Sequence, residues 1–111
     1  MAVVLKQIMI GSINAGAGSI SSTAPGTGKV QMVKNIRLIN KHASAAATLT
    51  VSAGASGAYL VSPQSFSLRA GQMYQDDGEF ILNATDTVKI AIGSTGGPVD
   101  YVVSGIERDQ S

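Results

Sequence analysis

The chain has 111 residues, no cysteine and a net charge of +1, and only 14% of its residues are charged, against about a quarter in an ordinary soluble domain. That length holds one domain, and size scaling gives it about 5,700 Å² of folded surface against about 16,000 Å² extended, enough to bury one core. Without cysteine there is no disulfide and no thiolate metal site, and the near-neutral charge argues against binding that neutralises many phosphates.

A surface this poor in charge has to be built from Gly, Ala, Ser, Thr and apolar side chains. It is poorly defended against sticking, which suits a subunit of a larger assembly. The charges are also unevenly placed. Every acidic residue lies at or beyond Asp76, while six of the eight basic ones precede it: Lys6, Lys29, Lys34, Arg37, Lys41 and Arg69. Either the two halves pair their charges inside one fold, or a basic patch on one copy meets an acidic patch on the next.

In chain order, alternation and β-branched runs predict strands at Val3–Ile10, Gly18–Ser22, Val30–Ile39, Ala47–Ala53, Ala58–Ser62, Ser65–Arg69, Glu79–Leu82, Thr87–Ile92 and Pro98–Glu107. The opening MAVVLKQIMIGSINAGAGS imitates a signal peptide, but Lys6 and Gln7 interrupt its apolar run and no basic residue precedes it. It reads instead as a strand, either the first of its own sheet or an arm that adds to a neighbour's sheet. Gly11–Gly28 is then a flexible joint or a strand held by one neighbour. No run approaches the length of a membrane helix. Lys34 interrupts the apolar parity of Val30, Met32, Ile36 and Leu38, which predicts a bulge or an edge there. Ala53–Gly57, Asn83–Asp86 and Ser94–Pro98 read as hairpin turns, with Asp86 bonding nearby amides. In the last strand Val99, Tyr101 and Val103 face inward, and a bulge at Gly105 is expected to turn Ile106 inward too. The expectation is an all-β chain: residues 1–28 an N-terminal strand or arm with its Gly/Ser-rich joint, and residues 29–111 an antiparallel β-sandwich of jelly-roll type.

Catalysis has little to stand on. The one histidine, His42, lies in a turn beside Lys41 and is expected to be exposed and unpaired. One His and no Cys cannot build a transition-metal cluster. Asp76-Asp77-Gly78-Glu79, with Asp86, is the best hard-cation candidate, but it lacks the alternating spacing of a calcium loop. Gly26-Thr27-Gly28-Lys29 fails as a phosphate loop, because Val30 follows the lysine and Thr23 stands where the first glycine belongs. Asn83-Ala84-Thr85 matches a glycosylation acceptor by chance. No enzyme, cofactor or metal is expected. Of the aromatics, Phe66, Phe80 and Tyr101 are expected in the core, leaving Tyr59 and Tyr74 as a possible exposed pair for a carbohydrate- or receptor-binding module.

Four blocks come in a familiar order: Lys34-Asn35-Ile36-Arg37-Leu38-Ile39-Asn40, then Leu68-Arg69-Ala70-Gly71-Gln72, then Phe80 through Val88, and finally Tyr101 through Glu107. Over about residues 29–107 the chain resembles the small all-β virion structural proteins of tailed bacteriophages. Ala84-Thr85-Asp86 stands where that pattern has Ala-Gly-Asp, which leaves the turn type open. The resemblance implies a capsid decoration (cement) protein, or else a neck, tail or fibre component, in a virion assembled in the host cytoplasm. Its partners would be the major capsid protein or other virion proteins. It would be a homo-oligomer, a trimer by analogy with lattice geometry or else a ring, with no nucleic acid or membrane as partner. The residues expected at its interfaces are Val3, Val4, Leu5, Ile8, Lys34, Arg37, Lys41, Asp76 and Asp77.

Overall fold

The structure is a computed structural model that describes residues 3–55 and 58–109. Ten strands form: β1 (Val3–Ile13), β2 (Gly18–Ser21), β3 (Lys29–Asn40), β4 (Ala47–Ala55), β5 (Tyr59–Leu60), β6 (Phe66–Leu68), β7 (Met73–Asp76), β8 (Phe80–Leu82), β9 (Asp86–Ile92) and β10 (Val99–Asp109). The described residues contain no helix. The first sheet runs β1-β10-β3 and ends on β7 and β8, both paired to β3; the second runs β2-β9-β4 and ends on β5 and β6, both paired to β4. All pairs are antiparallel. Taking β5 with β6 and β7 with β8 as two broken strands, this is the strand order of a jelly roll. The expected two-sheet sandwich is present.

The core follows from alternation. Ile36 and Leu38 of β3, Leu49 and Val51 of β4, Val88 and Ile90 of β9, and Val99 and Val103 of β10 are at most 1% exposed. The accessible surface is 5888 Å², close to the scaling value above. Gly11 lies opposite Tyr101, and a Cβ on Gly11 would come within 2.7 Å of the tyrosine hydroxyl. The glycine therefore leaves room for the buried ring to lie across β1.

Residues 3–28 supply one strand to each sheet. Val3–Ile13 pairs along β10, so it is a strand of the chain's own sheet. Gly18–Ser21 is held by β9 alone. Three expectations are corrected. Asn83–Asp86 and Ser94–Pro98 are not hairpins, because β8 and β10 belong to one sheet and β9 to the other; both turns cross between sheets. Asp86 does cap its own turn, accepting from the Asn83 amide at 2.9 Å. Ala53–Gly57 does begin a β4–β5 pairing, although residues 56 and 57 lie outside the described residues. The third correction concerns the bulge near the end of β10. Ser104 pairs with Asn35 and Gly105 with Val33, so the extra residue is Lys34, in an interior strand. β10 keeps its parity through buried Gly105, and Ile106 points outward. β7, Met73–Asp76, was not expected as a strand. It is four residues long and only half-buried Tyr74 faces the core with any bulk, so it carries too little apolar signal.

Candidate assembly interface

Cross-strand partners share a face, so the registers arrange the outward side chains of the first sheet into five rows. They are Val3·Arg108·Val30, then Leu5·Ile106·Met32·Ile81, then Gln7·Ser104·Asn35, then Ile10·Val102·Arg37·Gln75, and last Ser12·Asp100·Ile39·Met73. The second row is apolar across all four strand positions. Leu5 is 91% exposed and Ile81 56%. Val3, Val30, Met32, Ile81, Ile106 and Arg108, with Gln31, line a shallow groove of about 220 Å³ on this face. The outer face of the second sheet differs: Ser19, Ala91 and Thr50 share one row, Ser21, Lys89, Ser52 and the exposed Leu60 another, and Thr48 pairs with Ser67. Apart from Leu60 on its short edge strand, this face is small and mostly polar. The other presents large apolar side chains to solvent, as interaction sites do.

The sheet edges are guarded. β1 has eleven residues with one edge unpaired, yet Lys6 sits on its inward parity opposite Gly105, and a bulge leaves Ile8 without a counterpart. An inward charge and a bulge both discourage strand addition. The other edge strands have two to four residues. A partner therefore meets less resistance on the first sheet's outer face than at any edge.

Charge on this face is mostly compensated. Lys34 pairs with Glu79, and Lys41 reaches Asp100 at 2.9 Å, where Ser12 also donates to the carboxylate. These contacts, the Ser12 bond first, hold the Asp100 carboxyl below the usual carboxylate range. Glu107 is lowered in the same way, chiefly by the Gln31 amide at 3.0 Å and then by Lys6 and Lys29. A lowered folded-state value contributes stability that is complete above the ordinary carboxylate range and is lost as pH falls through the lowered value. Unfolding midpoints measured from neutral pH downward should drop in that window, and Glu107→Gln should flatten part of the drop.

Among the described residues Arg37 forms no salt bridge. Nor, among them, does Asp77; it accepts from Asn35 and from Gln75 at 3.2 Å. Arg37 lies in the middle of the face and Asp77, between β7 and β8, at its edge.

Of the residues expected at interfaces, the structure gathers Val3, Leu5, Arg37 and Asp77 on this face, with Lys34 and Lys41 in its ion pairs. Val4 has the opposite parity to Val3, Ile8 packs against the core, and Asp76 turns its carboxylate to the Gly78 amide at 2.8 Å. The sequence reading missed Ile10, Met32, Ile39, Met73, Ile81, Val102 and Ile106. Ile81, between Phe80 and Leu82, and Ile106, after Gly105, were the available signals, since each stands off its strand's inward parity.

Other candidates resolve differently. His42 is not an unpaired imidazole: its Nδ1 accepts from the Ser44 and Ala45 amides at 3.0 and 2.8 Å, closing the loop. Tyr74 is not exposed beside Tyr59. It packs on Phe66 with ring centroids 4.8 Å apart, and its hydroxyl is raised by burial and then by Asp76. Among the described residues no three His, Asp or Glu side chains converge on a metal position. No helix among them is long and apolar enough to cross a membrane.

No protein-family model and no curated protein matches the sequence. Among solved structures, the Drosophila NLP core, described for pentamer formation and histone binding, is 17% identical with a TM-score of 0.48, covering 98% of this chain and 100% of that one. The infectious bursal disease virus Gx strain gives 11% identity and a TM-score of 0.46, over 96% of this chain and 30% of that chain. The Gt strain gives 9% and 0.44, over 96% and 32%. The chain thus spans less than a third of the viral chains.

Proposed function

We propose that this chain is a non-catalytic structural subunit that meets other protein subunits through the outer face of its first sheet, and that its assembly is a virion, with the chain as a capsid decoration protein. The observation that carries the reading is the pairing of an apolar outer face with guarded edges. Low charge and a second face made mostly of Ser, Thr and Ala, with Leu60 exposed at its edge, support it, because small flat surfaces allow close repeated contacts. A neck, tail or fibre position uses the same surface with fewer copies. One observation favours the binding-module reading: Tyr59, 74% exposed, borders a cleft of about 500 Å³ with Leu60, Phe80, Asp76, Glu79 and Asp86.

Quantitative mass spectrometry of particles made by the genome that encodes the chain, normalised to the major capsid protein, tests this. A fixed fraction of the capsid copy number is expected. A few dozen copies or fewer per particle would move the chain to the neck, tail or fibres. Absence from particles would overturn the virion reading and leave the Tyr59 cleft as the better lead.

A further inference from the structure

We infer that the occupant of the first sheet's outer face is the same face of a second copy, related by a two-fold axis that runs parallel to the sheet, just above that face, and crosses the strands between the third and fourth rows. The inference rests on reading that face as an interface and adds the identity of the partner.

Area comes first. Under this axis rows two to five overlap, and four rows two residues apart and four strand positions wide span roughly 520 Å² at ordinary strand spacings. Side-chain relief raises the accessible area further, toward the roughly 800 Å² per partner of a standard interface. The overlap therefore approaches the lower end of specific interfaces, about 600 Å² per partner, without help from loops.

Charge selects the operator. The crossing axis lays the third row of one copy over the fourth row of the other. Arg37 in the fourth row then faces the end of the opposite third row, where Asp77 is held by the Asn35 and Gln75 amides. A two-fold contact is reciprocal, so Arg37 and Asp77, which form no salt bridge within the described residues, neutralise each other twice. The same operation lays the second row over the fifth, bringing Met32 and Ile81 against Ile39 and Met73 of the second copy, and Leu5 and Ile106 against Ser12 and Asp100. The competing axis, parallel to the strands between β10 and β3, lays Arg37 over Val102. It brings the two guanidinium groups together with no carboxylate between them, and like charges facing across an interface are costly.

Sedimentation equilibrium of the purified full chain, with wild type, Arg37→Asp, Asp77→Arg and the double exchange, tests the pairing. Wild type is expected to be a dimer, each single reversal to weaken it about tenfold or more, and the double exchange to restore it. Thermal melting of each variant confirms that it is folded. Dimers left intact by both single reversals would overturn the proposal, as would a trimer or closed ring. A wild-type monomer would also overturn it. In that case, loss of Arg37→Asp from particles would still leave the face as the docking site for a different protein. Unimpaired incorporation would remove the interface reading as well.

Discussion

Replacing Gly105 with alanine is expected to destabilise the fold by about 3 kcal/mol, at the upper end of overpacking costs, and to lower Tm by roughly 10–20 °C. The cause is steric. A Cβ on Gly105 would lie 1.9 Å from the Met32 carbonyl oxygen and 3.1 Å from the Val33 Cα. Both are backbone atoms of β3, the strand that pairs with β10 and with both short edge strands. Neither can move without parting β3 from β10 where Lys34 bulges. Larger side chains at this position should prevent folding. A scanning-calorimetry melt of Gly105→Ala beside wild type checks the effect, and an unchanged Tm would show that the strands do not approach this closely.

Asn40→Ala is the second large loss, about 3–5 kcal/mol, because it leaves several buried polar groups unpaired at once. Asn40 is fully buried. Its amide donates to the carbonyls of Ala45 and Leu68, each at 3.0 Å. Its oxygen accepts from the His42 amide at 3.0 Å and the Gly97 amide at 3.1 Å. One side chain thus ties the end of β3 to the β3–β4 loop, the end of β6 and the β9–β10 turn. Asn40→Asp keeps the acceptors, loses both donors and buries a charge, so it should be at least as costly. Urea unfolding measures both variants. Against stabilities of about 5–15 kcal/mol for natural domains, either change consumes a large share.

The fold was largely legible because it rests on alternation. Val88, Ile90 and Ile92, and likewise Val99, Tyr101 and Val103, announce strands with one buried face, and turn residues mark their ends. Legibility failed where two strands define a feature jointly. The bulge expected as one option at Lys34 is there, but only the register shows that Gly105 has none of its own and marks a close approach instead. Assigning the bulge to Gly105 turned Ile106 inward, and with it the centre of the exposed face was lost. Asn40 occupies the inward parity after Ile36 and Leu38, a signal of a buried, fully bonded amide that was readable but went unused.

The face itself was only half visible. Val3, Leu5 and Arg37 could be picked out as apolar or charged residues without an evident partner. Met32, Ile81 and Ile106 could not, because an outward isoleucine and an inward one look alike until the register is known. The basic and acidic halves turned out to pair mostly within the fold, through Lys34 with Glu79, Lys41 with Asp100, and Lys6 and Lys29 with Glu107. Arg37 and Asp77 stand outside that pairing.

The most direct test of the central claim is a competition for incorporation into particles between wild type and chains carrying a charge on one face or the other. Leu5→Lys or Ile81→Lys should be excluded, while Thr50→Lys or Ser67→Lys on the opposite face should enter as wild type does. Equal incorporation of both sets, or exclusion of the Thr50 and Ser67 variants alone, would contradict the assignment of the first sheet's outer face as the interface.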